Sequence, residues 1–242
     1  MVSIVNEPSG LTDAQEADRV PTASGSATDF AYSRILDLIL SRDLRPGERT
    51  SVNLLVARLK LGRAPIREAI SRLHAEGVLI IKKQSGTTVA AVDGTGAIHL
   101  FALRGALEDL AAKTAVENAT KDDFARVKFL LAEMKETSIT APRDRGAGAR
   151  FVKANSAFHA AIVASAHNPY LDQAYSRLQL QFQIVSYLSY RGYDPVAAAL
   201  RQAEHEEIGA ALIARNALHL RDSQRNHSAS TERSLLHYLS PP

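Results

Sequence analysis

Two arginines in residues 61–73 are spaced for chemistry with an anionic partner. Arg63 and Arg67 stand four residues apart, so a helix places both guanidinium groups on one face. Pro65 suits the first turn of that helix, where a backbone N–H is not needed. The opposite face carries the apolar residues Ile66, Ala69, Ile70 and Leu73. Such a helix start can present guanidinium donors to base edges in the DNA major groove.

Three of the eight histidines stand out by their context, namely His159, His205 and His227. Asn155 and His159 lie one helical turn apart and share a face. His205 and His227 lie on successive helical segments, and an antiparallel turn near Asn216 would make them neighbours. Taken singly, each histidine also suits an ordinary polar position in a helical bundle. The pattern alone therefore leaves open whether the three histidines form one site or are ordinary polar residues.

Composition limits the classes of protein to which the chain can belong. Its 242 residues suit one large domain or two small ones, and 45% are hydrophobic, enough for packed cores. Cysteine is absent, which excludes disulfides and thiol chemistry and suits a reducing cytoplasm, where we expect the protein. No apolar run approaches the roughly 18 residues of a membrane span, and the start lacks a secretory signal. We therefore expect no membrane partner.

The positive charge is concentrated in one segment. Residues 1–28 carry one arginine against four acidic residues, whereas residues 29–92 carry eleven lysines and arginines against six acidic residues. A basic segment of this size is an electrostatic footprint for nucleic acid, although many solvated surfaces are equally basic.

The elements that must position the arginines fit a winged helix-turn-helix at residues 29–92. Residues 1–28 lack periodicity and are expected to be a disordered tail. Apolar spacing predicts a helix at 29–41, a turn at 44–48 and a second helix capped by Ser51. The arginine helix then ends near Gly77, a suitable C-cap. Residues 78–81 and 87–92 are β-prone and predict a hairpin with a basic tip.

The elements that must position the histidines are helical. After a predicted linker at 93–96, residues 97–240 are rich in Ala and Leu, with breaks near residues 120, 141–142, 168–169, 192–195 and 216. This pattern predicts an antiparallel bundle of six or seven helices. The fold class is therefore mainly α, with a winged head followed by an all-helical bundle.

The chain resembles the GntR superfamily of bacterial transcription regulators, and specifically its FadR-like subfamily with an FCD-type effector domain. The matching residues span about 60 positions at the family's spacing. They are Ile35, Ile39, Leu44, Pro46, Gly47, Arg63, Pro65, Ile66, Arg67, Glu68, Ala69, Leu73, Glu76, Gly77 and Gly86. The resemblance implies a protein that binds an operator with its head and senses a small molecule with its helical domain.

For the head, the resemblance implies that Arg63 and Arg67 contact bases. Further candidate DNA contacts are Ala64, Pro65, Arg34, Arg45, Arg49, Lys83 and Gly86. The chain departs from the family at residues 60–62, where Lys-Leu-Gly replaces the usual Gly-Val-Ser. Gly62 must then begin the helix without a capping side chain. Asn53 stands where some relatives use an arginine to reach a base, so the operator should not be inferred from relatives.

For the helical domain, the resemblance implies a metal held by His159, His205 and His227, with Asn155 where relatives have an aspartate. Neutral imidazoles suit zinc, and nickel or manganese are alternatives. With asparagine the site keeps the full +2 charge, so it should hold metal less tightly or depend on an anionic ligand. Arg104 is implied to clamp a carboxylate in the same pocket. The alternative is a helix-surface ion pair between Arg104 and Glu108.

These observations predict a homodimeric transcription repressor, not an enzyme, which binds a palindromic double-stranded DNA operator. A small organic acid bound near the metal would control operator binding. Two alternatives stay open from the residues. The histidines could form a zinc-dependent hydrolase with Glu204 or Glu206 as base. The altered entrance of the arginine helix could mark an effector sensor without specific DNA binding.

Overall fold

A computed structural model describes residues 26–41, 43–82, 86–91, 94–140, 147–189 and 195–239. These residues are mainly helical, which confirms the predicted fold class. Most of the predicted tail, residues 1–25, lies outside the described residues, and so does Lys83. None of the helices in the described ranges is both long and apolar enough to cross a membrane.

The head contains three helices and a small antiparallel sheet. In chain order its elements are α1 (Ala27–Leu40), β1 (Arg49–Thr50), α2 (Val52–Leu59), α3 (Arg63–Ala75), β2 (Leu79–Lys82) and β3 (Gly86–Val89). The sheet order is β1-β3-β2, and Lys82 pairs with Gly86 at the start of the wing. The winged helix-turn-helix pattern is therefore present, with α3 as the arginine helix.

Local caps explain where the head helices begin. Helix α1 begins at Ala27, two residues before the expected boundary, because Ser26 and Asp29 form a reciprocal capping box. The Ser51 side chain accepts from the Leu54 N–H and caps α2, as predicted. Helix α3 begins after Gly62, which makes no side-chain cap. Gly77 has a φ of +74° directly after α3, as expected of a C-terminal glycine.

Strand β1 is an element that the sequence analysis missed. Arg49 and Thr50 follow a turn in which Gly47 has a φ of +79°, and they pair with Thr88 and Thr87 of β3. Two residues are too few for a strand pattern. The strand exists because a partner almost forty residues later completes its hydrogen bonds.

Six helices follow the head in the described residues: α4 (Gly94–Asn118), α5 (Lys121–Thr140), α6 (Ala147–Ala164), α7 (Pro169–Ser189), α8 (Pro195–Ile213) and α9 (Ala217–Leu239). The expectation of a linker at 93–96 is wrong for residues 94–96, which form the first turn of α4. Ala97 and Phe101 of this helix are buried. Their packing favours helix one turn further back than the low helix propensity of glycine suggests.

Two large apolar cores lie within the described residues, and α7 contributes to both. The bundle core centres on Phe158, Ile162 and Ile208. The head core, built around Ile35, Leu55, Ile66 and Leu73, also takes in Leu180 and Ile184 of α7. Helix α7 therefore packs against the head with one side and against the bundle with the other.

Candidate nucleic-acid interface and metal centre

The entrance of α3 presents Arg63 in a held orientation. Arg63 is the first residue of the helix and is exposed. Its Nη2 donates to Oδ1 of Asn53 on α2, at 2.7 Å. Asn53, noted from sequence only for the arginine it lacks, thus positions the neighbouring guanidinium. Sequence reasoning missed this contact because it joins two helices.

Arg67 lies one turn further along α3 and is also exposed. Ala64 is exposed between the two arginines, and Pro65 is partly buried. The buried side of α3 carries the four apolar residues expected of it. The structure therefore brings Arg63 and Arg67 to one solvent-facing helix start, as an arginine pair that reads DNA requires.

The remaining predicted DNA contacts are spread over the head. Arg34 is exposed on α1, Arg45 lies in the turn before β1, and Arg49 is exposed on β1. Gly86 has a φ of +84° where the wing returns, a conformation that favours glycine. These positions offer positive charge around the head, without a contact that singles out any one of them.

The three histidines meet inside the bundle. His159 comes from α6, His205 from α8 and His227 from α9, and all three are buried. Ring centroids lie 5.3 Å apart for His159 and His205, 5.0 Å for His159 and His227, and 4.3 Å for His205 and His227. One nitrogen from each ring lies within 4.8 Å of the others. The expected meeting of helices across the turn at Asn216 is confirmed.

Burial favours the neutral form of the His159 and His205 imidazoles by lowering their pKa values. Loss of solvent, reinforced by the Arg104 guanidinium, lowers the pKa of His159 to about 3. Burial also lowers the pKa of His205 well below its ordinary value, and the neighbouring histidines add to this. Neutral imidazole is the form that ligates a metal through its lone pair.

Two of the three histidines have ring nitrogens without a hydrogen-bond partner in the part of the chain that the structure describes. Neither ring nitrogen of His159 or His205 has a hydrogen-bond partner, although all four atoms are buried. An unsatisfied buried polar atom costs about 1–3 kcal/mol. A metal ion among three such rings would accept their lone pairs, so the residues present fit a divalent transition metal.

Glu204 supports the cluster from behind. Its Oε2 lies 2.8 Å from Nδ1 of His227, so Nδ1 donates to the carboxylate. A carboxylate behind a ligating histidine is the usual device for orienting the ring. Sequence analysis named Glu204 only as a base for a hydrolase. Its actual contact joins two helices and has no local signal.

Arg104 and Glu108 form a buried ion pair beside the histidines. Nε of Arg104 lies 2.7 Å from Oε1 of Glu108, and the side chains are 4% and 1% exposed. The expectation of a helix-surface pair is therefore wrong, because α4 turns this face into the bundle. Tyr175 donates to the same oxygen at 2.9 Å, and Nδ1 of His159 lies 3.3 Å from it.

This ion pair leaves one donor of the Arg104 guanidinium without an acceptor. Burial acts to raise the pKa of Glu108, but Arg104 outweighs it and holds that pKa well below the usual range. Nη2 of Arg104 has no hydrogen-bond partner among the described residues. One side of the guanidinium is thus anchored, and the other can still bind an acceptor.

A cavity of about 20 Å³ lies next to the cluster. Its polar lining includes Arg104, Asn155, Ser186, Arg201, His227 and Thr231. Asn155 is buried one turn before His159, so the predicted fourth ligand borders the same space as His227. The volume holds about one water molecule. Arg201 was not identified from sequence, where nothing distinguishes it from other helix-surface arginines.

Comparison with protein families matches both parts of the chain. Residues 27–89 match the family described as bacterial regulatory proteins, gntR family. Residues 99–230, more than half of the chain, match the FCD domain.

Individual relatives agree with these matches. The HTH-type transcriptional repressor GlaR of Escherichia coli is 25% identical over 204 residues, which cover 81% of this chain and 90% of GlaR. The Nta operon transcriptional regulator of Aminobacter aminovorans is 31% identical over 54% of this chain and 60% of its own length. The solved structure of E. coli McbR/YncC has the same fold, with a TM-score of 0.75, 22% identity and coverage of 90% of this chain and 100% of McbR.

These relatives are transcription regulators, which removes the hydrolase alternative. The chain belongs to the GntR family of bacterial regulatory proteins, as a DNA-binding transcription regulator with an FCD effector-binding domain.

Proposed function

We propose that the protein is a homodimeric repressor whose operator binding is controlled by a small carboxylate bound beside a divalent metal. The observation that carries this proposal is the buried trio of His159, His205 and His227, in which the nitrogens of His159 and His205 have no hydrogen-bond partner among the described residues. Nη2 of the neighbouring Arg104 also has none. The action takes place in the cytoplasm, where bacterial DNA lies.

In this proposal the two parts of the chain divide the work. Residues 29–92, with the first turn of α1, bind DNA, and residues 97–240 bind effector and form the dimer. Arg63 and Arg67 contact base edges, and two heads read the halves of a palindrome. The supporting contacts to the DNA backbone come from Arg34, Arg45, Arg49, Ala64, Pro65, Lys83 and Gly86.

The metal ligands are the three histidines and the amide oxygen of Asn155, with zinc favoured and nickel or manganese as alternatives. The ion supplies positive charge and open coordination positions. Because all four protein ligands are neutral, its +2 charge calls for an anion. The carboxylate of the effector meets that need, and Nη2 of Arg104 holds it.

Helix α7 supports a route from this site to the DNA. Tyr175 contacts Glu108, and the guanidinium of Arg104 lies 5.7 Å from the Phe182 ring centroid. On the other side of α7, Nε2 of Gln181 donates at 3.1 Å to the backbone oxygen of Glu76, the C-cap of α3. An effector that moves Arg104 therefore acts on the helix that holds the end of the arginine helix, and shifts the population of heads competent for DNA.

The metal is tested by elemental analysis of the purified full chain. The wild type is expected to carry about one zinc per chain, and His159→Ala to lose it. His219→Ala is the matched control, because His219 is exposed and pairs with Glu207 on the surface. Equal metal content in wild type and His159→Ala would contradict the metal site.

DNA binding and its control are tested by mobility shift. The protein should bind its own promoter in preference to random DNA, with affinity that falls as salt rises. Short-chain carboxylates should weaken the shift in the wild type. Gln181→Ala should keep DNA and carboxylate binding but lose the effect of one on the other, whereas Gln179→Ala should not. A promoter bound no better than random DNA would end the proposal.

A further inference from the structure

The cavity beside the histidines has a second arginine, and nothing in the proposed function uses it. Arg104 enters the cavity from α4 and Arg201 enters it from α8. Arg201 is partly exposed, yet its Nε is buried without a hydrogen-bond partner. The side chain therefore stands where the cavity meets solvent.

The two arginines that line this cavity come from two helices, and each keeps a guanidinium donor without a hydrogen-bond partner. Nη2 of Arg104 and Nε of Arg201 are both buried and unpartnered among the described residues. Buried donors on a charged group are costly unless an acceptor meets them. Each of these arginines thus keeps one donor that an acceptor on a bound ligand would satisfy.

The charge around the cavity also favours an anionic ligand. The described residues that line it include two arginines and no carboxylate. Behind the lining, Glu108 pairs with Arg104, and Glu204 lies close enough to Arg201 for the arginine to lower the glutamate's pKa. These two acids balance the two arginines. The charge of a divalent metal among neutral ligands is then left uncompensated.

We infer that the effector is a dianion, a short dicarboxylate with one carboxylate at the metal and Arg104 and the other at Arg201. This inference rests on the proposed function, since it names the ligand of the same site. A monocarboxylate would leave one positive charge unmatched and the Nε of Arg201 without an acceptor. The small cavity must widen on binding, and the partly exposed Arg201 can move outward to admit the ligand.

The test is calorimetric titration of the zinc-loaded full chain with matched probes. Malonate, succinate and glutarate are compared with propionate, butyrate and valerate, which have the same chain lengths. The best dicarboxylate should bind roughly 10- to 100-fold more tightly than its partner, the gain typical of one charged hydrogen bond. Equal affinities for the two members of each pair would overturn the inference. This comparison uses the wild-type chain, so it does not depend on whether Arg201 variants fold.

Variants locate the second carboxylate. Arg201→Gln should bring the dicarboxylate down to the affinity of the monocarboxylate, which should itself change little. Arg201→Lys should restore part of the difference. Arg221→Gln is the matched control, because Arg221 is a partly buried arginine on α9 that does not line the cavity and whose Nε lies 3.8 Å from Oδ1 of Asp222.

Two failures are distinguishable. If mono- and dicarboxylates bind equally and Arg201→Gln weakens both alike, the dianion inference fails and the proposed function stands. If neither series binds the zinc-loaded protein, the carboxylate effector fails, and the dianion inference fails with it.

Discussion

The two candidate sites of this protein are built in opposite ways. In the head, Arg63 and Arg67 project into solvent from one short helix, and their surroundings are satisfied without DNA. In the bundle, His159, His205 and Arg104 are buried and keep unpartnered polar atoms. A surface that binds a large anionic partner can remain solvated without that partner at little cost in free energy. A pocket for a small ligand has to be held ready by the fold, so its residues carry both function and stability.

The largest effect on stability is expected when one charge of the buried ion pair is removed. Glu108→Gln leaves Arg104 uncompensated inside the bundle, and we expect a loss of about 3–5 kcal/mol in the free energy of unfolding. Urea denaturation measures it. Asp109→Asn is the matched control, because Asp109 pairs with Arg225 in a more exposed position, and this substitution should cost far less free energy of unfolding. Similar losses for both variants would mean that the buried site carries no special share of stability.

Acid should unfold the metal-free protein through the same site. The pKa of His159 falls from 6.5 to about 3 on folding, so the unfolded chain binds a proton that the folded chain refuses between these values. Stability is therefore intact above about pH 6.5 and declines as the pH falls toward 3.

This decline is measured by thermal melts in a chelator across that range. His159→Gln should flatten it, whereas His219→Gln, on the surface, should leave it unchanged. A wild-type melting temperature that stays constant from pH 7 to pH 4 would contradict the buried neutral state of the imidazoles.

Substitutions in the exposed head should lower operator affinity and leave stability nearly unchanged. Arg67→Ala should cost about 1–3 kcal/mol of operator affinity while leaving the free energy of unfolding nearly unchanged. Fluorescence anisotropy with the promoter and with random DNA separates base contact from charge. Arg34→Ala should instead weaken both DNAs alike. A large loss of stability in Arg67→Ala would show that the head does not separate binding from folding.

The smallest effect concerns the unusual start of α3. A side chain at Gly62 meets only Pro65, at an ordinary 3.5 Å, and the backbone φ of −62° suits any residue. Gly62→Ser should add the missing cap and raise the free energy of unfolding by a few tenths of a kcal/mol. Gly77→Ser, at a φ of +74°, should destabilise the protein instead. Chemical denaturation of the two variants checks the difference in sign.

Features that depend on neighbours in the chain were predictable. The apolar face of α3, the Ser51 cap and the Gly77 terminus follow from spacing within one or two turns. The meeting of His205 and His227 was also predictable, because one tight turn joins their helices. Features formed between distant segments were not. Strand β1 and the contact of Asn53 with Arg63 needed partners that no local pattern names.

The sequence by itself determined the class of the protein, the helix that carries Arg63 and Arg67, and the residue types that suit a metal. Only the tertiary structure decided that Arg104 and Glu108 are buried, that Glu204 orients His227, and that Arg201 borders the same cavity. The physical reason is the separation along the chain between the residues that determine each feature. Helix periodicity and caps are set by residues a few positions apart, whereas the charge and satisfaction of a buried site depend on which distant helices pack around it.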